Sequence, residues 1–183
     1  ADLSGYFTLW DTTRKRLEDS FGHRIRLEIE PGRYLTAEAG ILVTEVRATK
    51  RQGSKKYLLV DAGFHTLARP VLYGSYHPMS LCPTSTTPPR ELESVAVGGP
   101  LCESGDIFTQ EEGGFVSTRD LPPARVGDFL IIEVAGAYGF VMASNYNSKP
   151  FPAEILIDSG SSQLVRARQT ADEIFSGEYI PTT

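Results

Sequence analysis

Apolar residues recur at helical spacing at the start of the chain, where Leu3, Tyr6, Phe7, Trp10, Leu17 and Phe21 fall on one side and Asp11, Arg14, Lys15, Glu18 and Asp19 on the other. The pattern predicts an amphipathic helix that Gly22 ends, because glycine adopts the left-handed C-cap conformation without steric cost. The period then changes. From Arg24 to Glu30, Ile25, Leu27 and Ile29 alternate with charged residues, which predicts a strand running into the turn Pro31-Gly32. Beyond Gly40 the pattern is one of strands and loops. Strands are predicted at residues 41–48, 57–60, 94–97, 129–134, 153–157 and 163–168, with glycine, proline, serine and threonine between them. The longest spacer runs from Pro78 to Pro89. Asp158 to Ser162 predicts a hairpin turn, Asp172 to Phe175 a short terminal helix, and the cations around Gly53 a solvated hairpin tip.

Most of the chain is therefore read as β. One helix and one strand ahead of it are too little for a layer of their own, so they are expected to be the tail of a larger α/β unit. A chain of 183 residues holds one sizeable core or one domain with part of another. A hydrophobic content of 40% and a charged content of 22% are ordinary globular values, and no apolar run approaches the length of a membrane span. The net charge of −5 argues against non-specific binding to nucleic acid, which is built from phosphate neutralisation. Two cysteines without a secretory signal suit a reducing cytoplasm better than a disulfide framework. The three histidines are not spaced for zinc, so no metal is expected, and there is no phosphate-binding loop or nucleophile elbow.

The candidate chemistry lies in loops. Gly98-Gly99-Pro100-Leu101-Cys102-Glu103-Ser104-Gly105-Asp106 sets a thiol beside a carboxylate on backbone that glycine and proline keep irregular. Such a cysteine is either a reactive thiol on display or an inert group in a tight turn. Glu30-Pro31-Gly32-Arg33 sits where a strand ends, which is where α/β folds place ligand-binding groups, and it also reads as a plain turn with two solvated charges. Arg69 stands before Pro70 with its planar fork suited to a carboxylate, or to a surface ion pair. Tyr73, Tyr76 and His77 follow as core residues or pocket lining. Tyr138, between Gly136 and Gly139, lies where small residues admit either another backbone or a flat ligand.

In this order and spacing these motifs, with Val60-Asp61-Ala62-Gly63 and Ser144-Asn145-Tyr146-Asn147, resemble the diaminopimelate decarboxylases, a pyridoxal-phosphate-dependent family of fold type III. The resemblance implies an N-terminal TIM-like barrel that carries the cofactor and a C-terminal β-barrel domain. Residues 1–36 would be the end of the first, and residues 37–183 a Greek-key-like β-barrel. The family's cofactor-binding lysine would lie upstream of the residues present here, which makes the isolated chain inactive. The implied activity is conversion of meso-2,6-diaminopimelate to L-lysine and carbon dioxide. Glu30 would face the cofactor's pyridine nitrogen, while Gly32, Arg33 and Tyr138 help hold its phosphate. Arg33, Arg69, Tyr73 and Tyr138 would bind the substrate, Glu103 would take its distal ammonium, and Cys102 would return a proton to the substrate carbon. His65 stands where the family often has asparagine. Partners implied are the missing barrel segment and a second subunit, since Cys102 and Glu103 reach into the neighbouring active site of a homodimer; no nucleic acid or membrane is implied. Two other readings remain open: a related ornithine, lysine or arginine decarboxylase, and a non-catalytic dimerisation or regulatory β-domain.

Overall fold

The computed structural model describes residues 2–84 and 91–181, in two compact units, residues 1–32 and 33–183. In the first unit, helix α1 spans Leu3–Phe21. The Asp2 carboxylate caps its start by accepting from the Gly5 N–H at 2.9 Å, and Gly22, at φ +70°, caps its end by donating to the Glu18 carbonyl at 2.8 Å. Arg14 links Asp11 and Glu18 at 2.6 Å each along the polar face. The apolar face is largely open: Phe7 and Phe21 are exposed, although the Phe21 ring stacks on His23. The alternating segment from Arg24 to Glu30 carries no strand pairing, contrary to its pattern. A strand exists only through a neighbour that takes up its N–H and C=O groups, and among the described residues of this unit no second extended segment is present.

The second unit holds a six-stranded sheet. After the short helix α2 (Gly32–Thr36) come β1 (Leu42–Gln52), β2 (Lys55–Val60), helix α3 (Arg69–Tyr73), β3 (Met79–Cys82), β4 (Glu93–Gly98), β5 (Arg119–Leu121) and β6 (Phe129–Ile132). Their order across the sheet is β3-β6-β1-β2-β4-β5. The two edge strands, β3 and β5, approach one another, so the sheet curls into a nearly closed barrel around one core. Strand β1 is long because it serves two partners: its first half pairs with β6, its second with β2, and a bulge between Val46 and Ala48 marks the exchange. Alternate side chains fill the interior: Val46, Leu58, Val60, Val95, Val97, Leu130 and Ile132, closed by Leu67, Phe108 and Leu121. Each such side chain contributes about 1.5–3 kcal/mol by leaving water.

Two strands fall where no strand was expected. Strand β3 lies inside the presumed spacer from Pro78, whose residues 85–90 are outside the described residues, and β5 is only three residues long. Both are edge strands held by one neighbour each, β3 by β6 and β5 by β4. Among the described residues one ladder is parallel, that of β2 with β4. Parallel neighbours need a crossover connection, and this one carries α3 and β3. Strand β4 is buried on both faces, as its run Val95, Ala96, Val97, Gly98 shows.

The expected hairpin is present: β7 (Glu154–Asp158) and β8 (Ser161–Arg166) are joined by Ser159 and Gly160, both at positive φ, the geometry of a tight primed turn. A capping box between Thr170 and Glu173 opens the last helix, α4 (Ala171–Ile174). The Gly53 turn joins β1 to β2 as expected, although Lys56 leaves the tip for an ion pair with Glu93.

Candidate active site

Strands β2 and β4 run side by side in one direction, so their C-terminal ends release two loops at the same end of the sheet. The loop after β2 begins Asp61-Ala62-Gly63-Phe64, and the loop after β4 is Gly99 to Asp106. One buried carboxylate joins them. Asp106, 4% exposed, accepts from the Phe64 N–H at 2.8 Å and from the Leu101 N–H at 2.9 Å. Gly63 and Gly99 press against the same group, and a Cβ at Gly99 would meet Asp106 Oδ2 at 2.1 Å. Burial raises the Asp106 pKa against the pull of these two amides. The first loop is held in turn by the Asp61 carboxylate, which accepts from the Thr44 hydroxyl and the Glu45 N–H.

The clamp presents Cys102 and Glu103. Cys102 is an exposed free thiol. The Glu103 carboxylate accepts from the Gly105 N–H at 3.2 Å and from the Ser104 hydroxyl at 3.3 Å. The Gly105 amide, followed by the Ser104 and Tyr146 hydroxyls, holds Glu103 below the usual carboxylate range, so it is an anion at neutral pH. The Tyr146 hydroxyl donates to Glu103 at 3.4 Å, and its ring lies tilted on Phe64 with centroids 4.8 Å apart. Partial burial and then the neighbouring Glu103 charge raise the Tyr146 phenol, which keeps it protonated as the donor.

A second group gathers around Tyr138. The Arg33 guanidinium lies 5.9 Å from its ring centroid and that of Arg69 5.5 Å, while Arg69 also stands 5.0 Å from the Tyr73 ring. Arg69 donates to the Ser75 hydroxyl at 3.3 Å. Beside these cations opens a pocket of about 180 Å³ lined by Arg33, Arg69, His77 and Val134 among others. The backbone around it is strained: Val134 and Tyr138 both hold φ at +59°, an unusual conformation for side chains of their bulk.

The small residues beside Tyr138 admit backbone. Gly136 donates to the Ala37 carbonyl at 3.1 Å, the Ala135 N–H to the Gly40 carbonyl at 2.8 Å, and a Cβ at Gly136 would lie 2.0 Å from the Thr36 carbonyl. The segment that follows Arg33 is thereby tied to the loop of Tyr138. Among the described residues no hydrogen bond, ion pair or ring contact joins the Cys102–Glu103 group to the guanidinium group. Glu30 belongs to the first unit, where its carbonyl accepts from the Gly32 N–H at 2.9 Å.

The sequence named the two arginines, the tyrosines, Cys102 and Glu103 as candidates, and missed the groups that hold them in place. Asp106 carries no signature of its own, because its partners are backbone amides, though two glycine-containing loops with an acid at the end of one hinted at a close approach. Tyr146 was one letter in a motif without a role. His77, left between core and pocket, lines the pocket.

The curled sheet carries two arginines on short helices around Tyr138, and a thiol and a carboxylate on a separate loop. The chain belongs to the pyridoxal-dependent decarboxylases: residues 11–136 match their C-terminal sheet domain. Within that class its relatives are diaminopimelate decarboxylases. It is 51% identical to that of Buchnera aphidicola subsp. Acyrthosiphon pisum over 179 residues, 97% of this chain and 43% of the relative. It is 47% identical to that of Escherichia coli K12, covering 98% of this chain and 43% of the relative. A crystal structure of a diaminopimelate decarboxylase superposes with a TM-score of 0.83 at 47% identity, over 96% of this chain and 42% of that one. The chain thus spans less than half the length of the curated relatives it matches.

Proposed function

We propose that this chain is the substrate-recognising C-terminal part of a decarboxylase that converts meso-2,6-diaminopimelate to L-lysine and carbon dioxide in the cytoplasm. The observation that carries the reading is the convergence of Arg33 and Arg69 on Tyr138 beside an open pocket. Two permanent cations with forked donors form a receptor for a carboxylate, and Tyr73 and Tyr138 orient them through their ring faces. Glu103, an anion on an exposed loop, complements the substrate's distal ammonium. A substrate with one amino-acid end only would leave one of these charges without a partner, which is the basis of selectivity.

The donor set also fits pyridoxal 5′-phosphate. The Tyr138 phenol and the Arg33 guanidinium suit a phosphate; the resemblance to the family assigns the Gly32 main chain to that phosphate and the Glu30 carboxylate to a pyridinium nitrogen. When bound, that cofactor supplies a ring that accepts the electrons left as carbon dioxide departs. The cofactor's lysine is assigned to a barrel that residues 1–36 complete, and residues 37–183 form the β-domain. Cys102 supplies the final proton: the carbon–carboxylate bond breaks, carbon dioxide leaves, and the Sγ proton goes to that carbon, with solvent restoring the thiol. Because Cys102 and Glu103 form a group separate from the guanidiniums, each loop is assigned to the active site of a second subunit in a homodimer.

The test is complementation in the full-length enzyme. Cys102→Ala alone is expected to lose about 10²–10⁴ in turnover, and Arg69→Met alone to lose diaminopimelate binding. Refolding the two variants together restores about a quarter of wild-type activity, because half the random dimers hold one intact shared site. A mixture as inactive as its components rules out the shared site, and full turnover by Cys102→Ala rules out the proton donor.

A further inference from the structure

His77 differs from every other residue of the guanidinium pocket. It is 4% exposed, its Nδ1 lies 3.0 Å from the Glu133 carbonyl, and its Nε2 is buried without a hydrogen-bond partner among the described residues. A carbonyl only accepts, so Nδ1 holds the hydrogen and Nε2 is left with a bare lone pair. Buried polar atoms are rarely left unpaired, and His77 lines the pocket together with Arg33 and Arg69.

The groups around the imidazole come from several elements. Arg33 approaches from α2 and Arg69 from α3. Glu133, just after β6, turns its carbonyl to Nδ1 and its carboxylate to the Ser80 hydroxyl of β3, at 3.2 Å. On its own segment the neighbours are the neutral Ser75 and Tyr76, and Arg119 of β5 lies over the Tyr76 ring at 4.2 Å. Burial foremost, and then the two guanidiniums, lower the His77 pKa against the Glu133 carbonyl, so the ring is neutral while the pocket holds no anion.

A carboxylate entering between the arginines changes both conditions. It cancels the guanidinium field, and it sets an oxygen lone pair against the Nε2 lone pair, a contact that is repulsive without a hydrogen between them. We propose that His77 is the third member of the carboxylate receptor, taking one proton from solvent onto Nε2 as the ligand seats and donating that hydrogen to a carboxylate oxygen. The proposal rests on the reading of Arg33 and Arg69 as a carboxylate receptor. It adds a means of discrimination, because a neutral or cationic group in the same place draws no proton.

The experiment is calorimetric titration of L-lysine into the full-length enzyme in two buffers of different ionisation enthalpy. Uptake of close to one proton per site is expected, with affinity falling by up to about tenfold per pH unit above neutrality. His77→Asn is expected to bind more weakly and take up none, and cadaverine, which lacks a carboxylate, to draw no proton on the wild type. Absence of uptake by the wild type overturns the proposal without need of a variant, and so does equal uptake by His77→Asn. If Arg69→Met binds L-lysine as tightly as the wild type, the underlying receptor reading fails instead.

Discussion

Replacing Gly99 by alanine tests the clamp that holds the Cys102 loop. The new Cβ would lie 2.1 Å from Asp106 Oδ2, 2.6 Å from Cγ and 2.7 Å from Oδ1, so the carboxylate has to move. It has little room, because a Cβ built at Gly63 also falls 2.7 Å from Oδ2, and the carboxylate is pinned by the Phe64 and Leu101 amides. Displacement breaks both hydrogen bonds, each worth about 1.5 kcal/mol to a charged acceptor, so the two loops open more easily by about 3 kcal/mol. Amide hydrogen exchange reads this directly as a loss of roughly a hundredfold in protection at Phe64 and Leu101. Gly105→Ala is the control in the same loop, since among the described residues its Cβ would have nothing nearer than Glu103 Oε1 at 3.8 Å. Protection in Gly99→Ala within about threefold of wild type, or an equal loss in Gly105→Ala, refutes the reasoning.

Two further outcomes follow from charges elsewhere in the site. His65 is buried with Nδ1 unpartnered among the described residues, and burial, followed by the Lys149 charge, lowers its pKa from 6.5 to about 4. A depressed histidine favours the fold while neutral, so stability is full above pH 6.5 and is lost as pH falls toward about 4, by up to about 3 kcal/mol. Thermal unfolding across that window should show the loss in the wild type and not in His65→Asn, and an imidazole NMR titration midpoint near 6.5 contradicts the assignment. Glu103→Gln in the full-length enzyme should raise KM for diaminopimelate by roughly tenfold to a hundredfold with a smaller change in kcat; an unchanged KM removes Glu103 from substrate recognition.

The parts of the fold legible in the sequence were those with a local cause. The 3.6-residue period of α1, its Gly22 cap and the Ser159-Gly160 turn all depend on residues within a few positions of one another. Strands β3 and β5 were not legible, since short edge strands borrow their pairing from β6 and β4. The segment at Arg24 to Glu30 is the converse, a strong alternation without a partner to make it a strand. In the candidate site, although Arg33 and Arg69 lie on the short helices α2 and α3 rather than in loops, the arginines, Cys102 and Glu103 stood out as candidates in stretches broken by glycine and proline. Asp106 and His77 did not, because what distinguishes them is a backbone amide 42 residues away in one case and an empty lone pair in the other.

The parallel ladder between β2 and β4 bears on how such a chain evolves. Two strands pointing the same way cannot be joined by a tight turn, so the sheet itself demands a long excursion between them, whatever that excursion contains. Arg69, Tyr73 and His77 all lie on it. The proposed ligand chemistry therefore lies on chain that the architecture must keep in any case, at some remove from the alternating residues that fill the barrel. Side chains on that excursion can be exchanged while the core sequence stands still, so the surface they form can change without refounding the stability of the sheet.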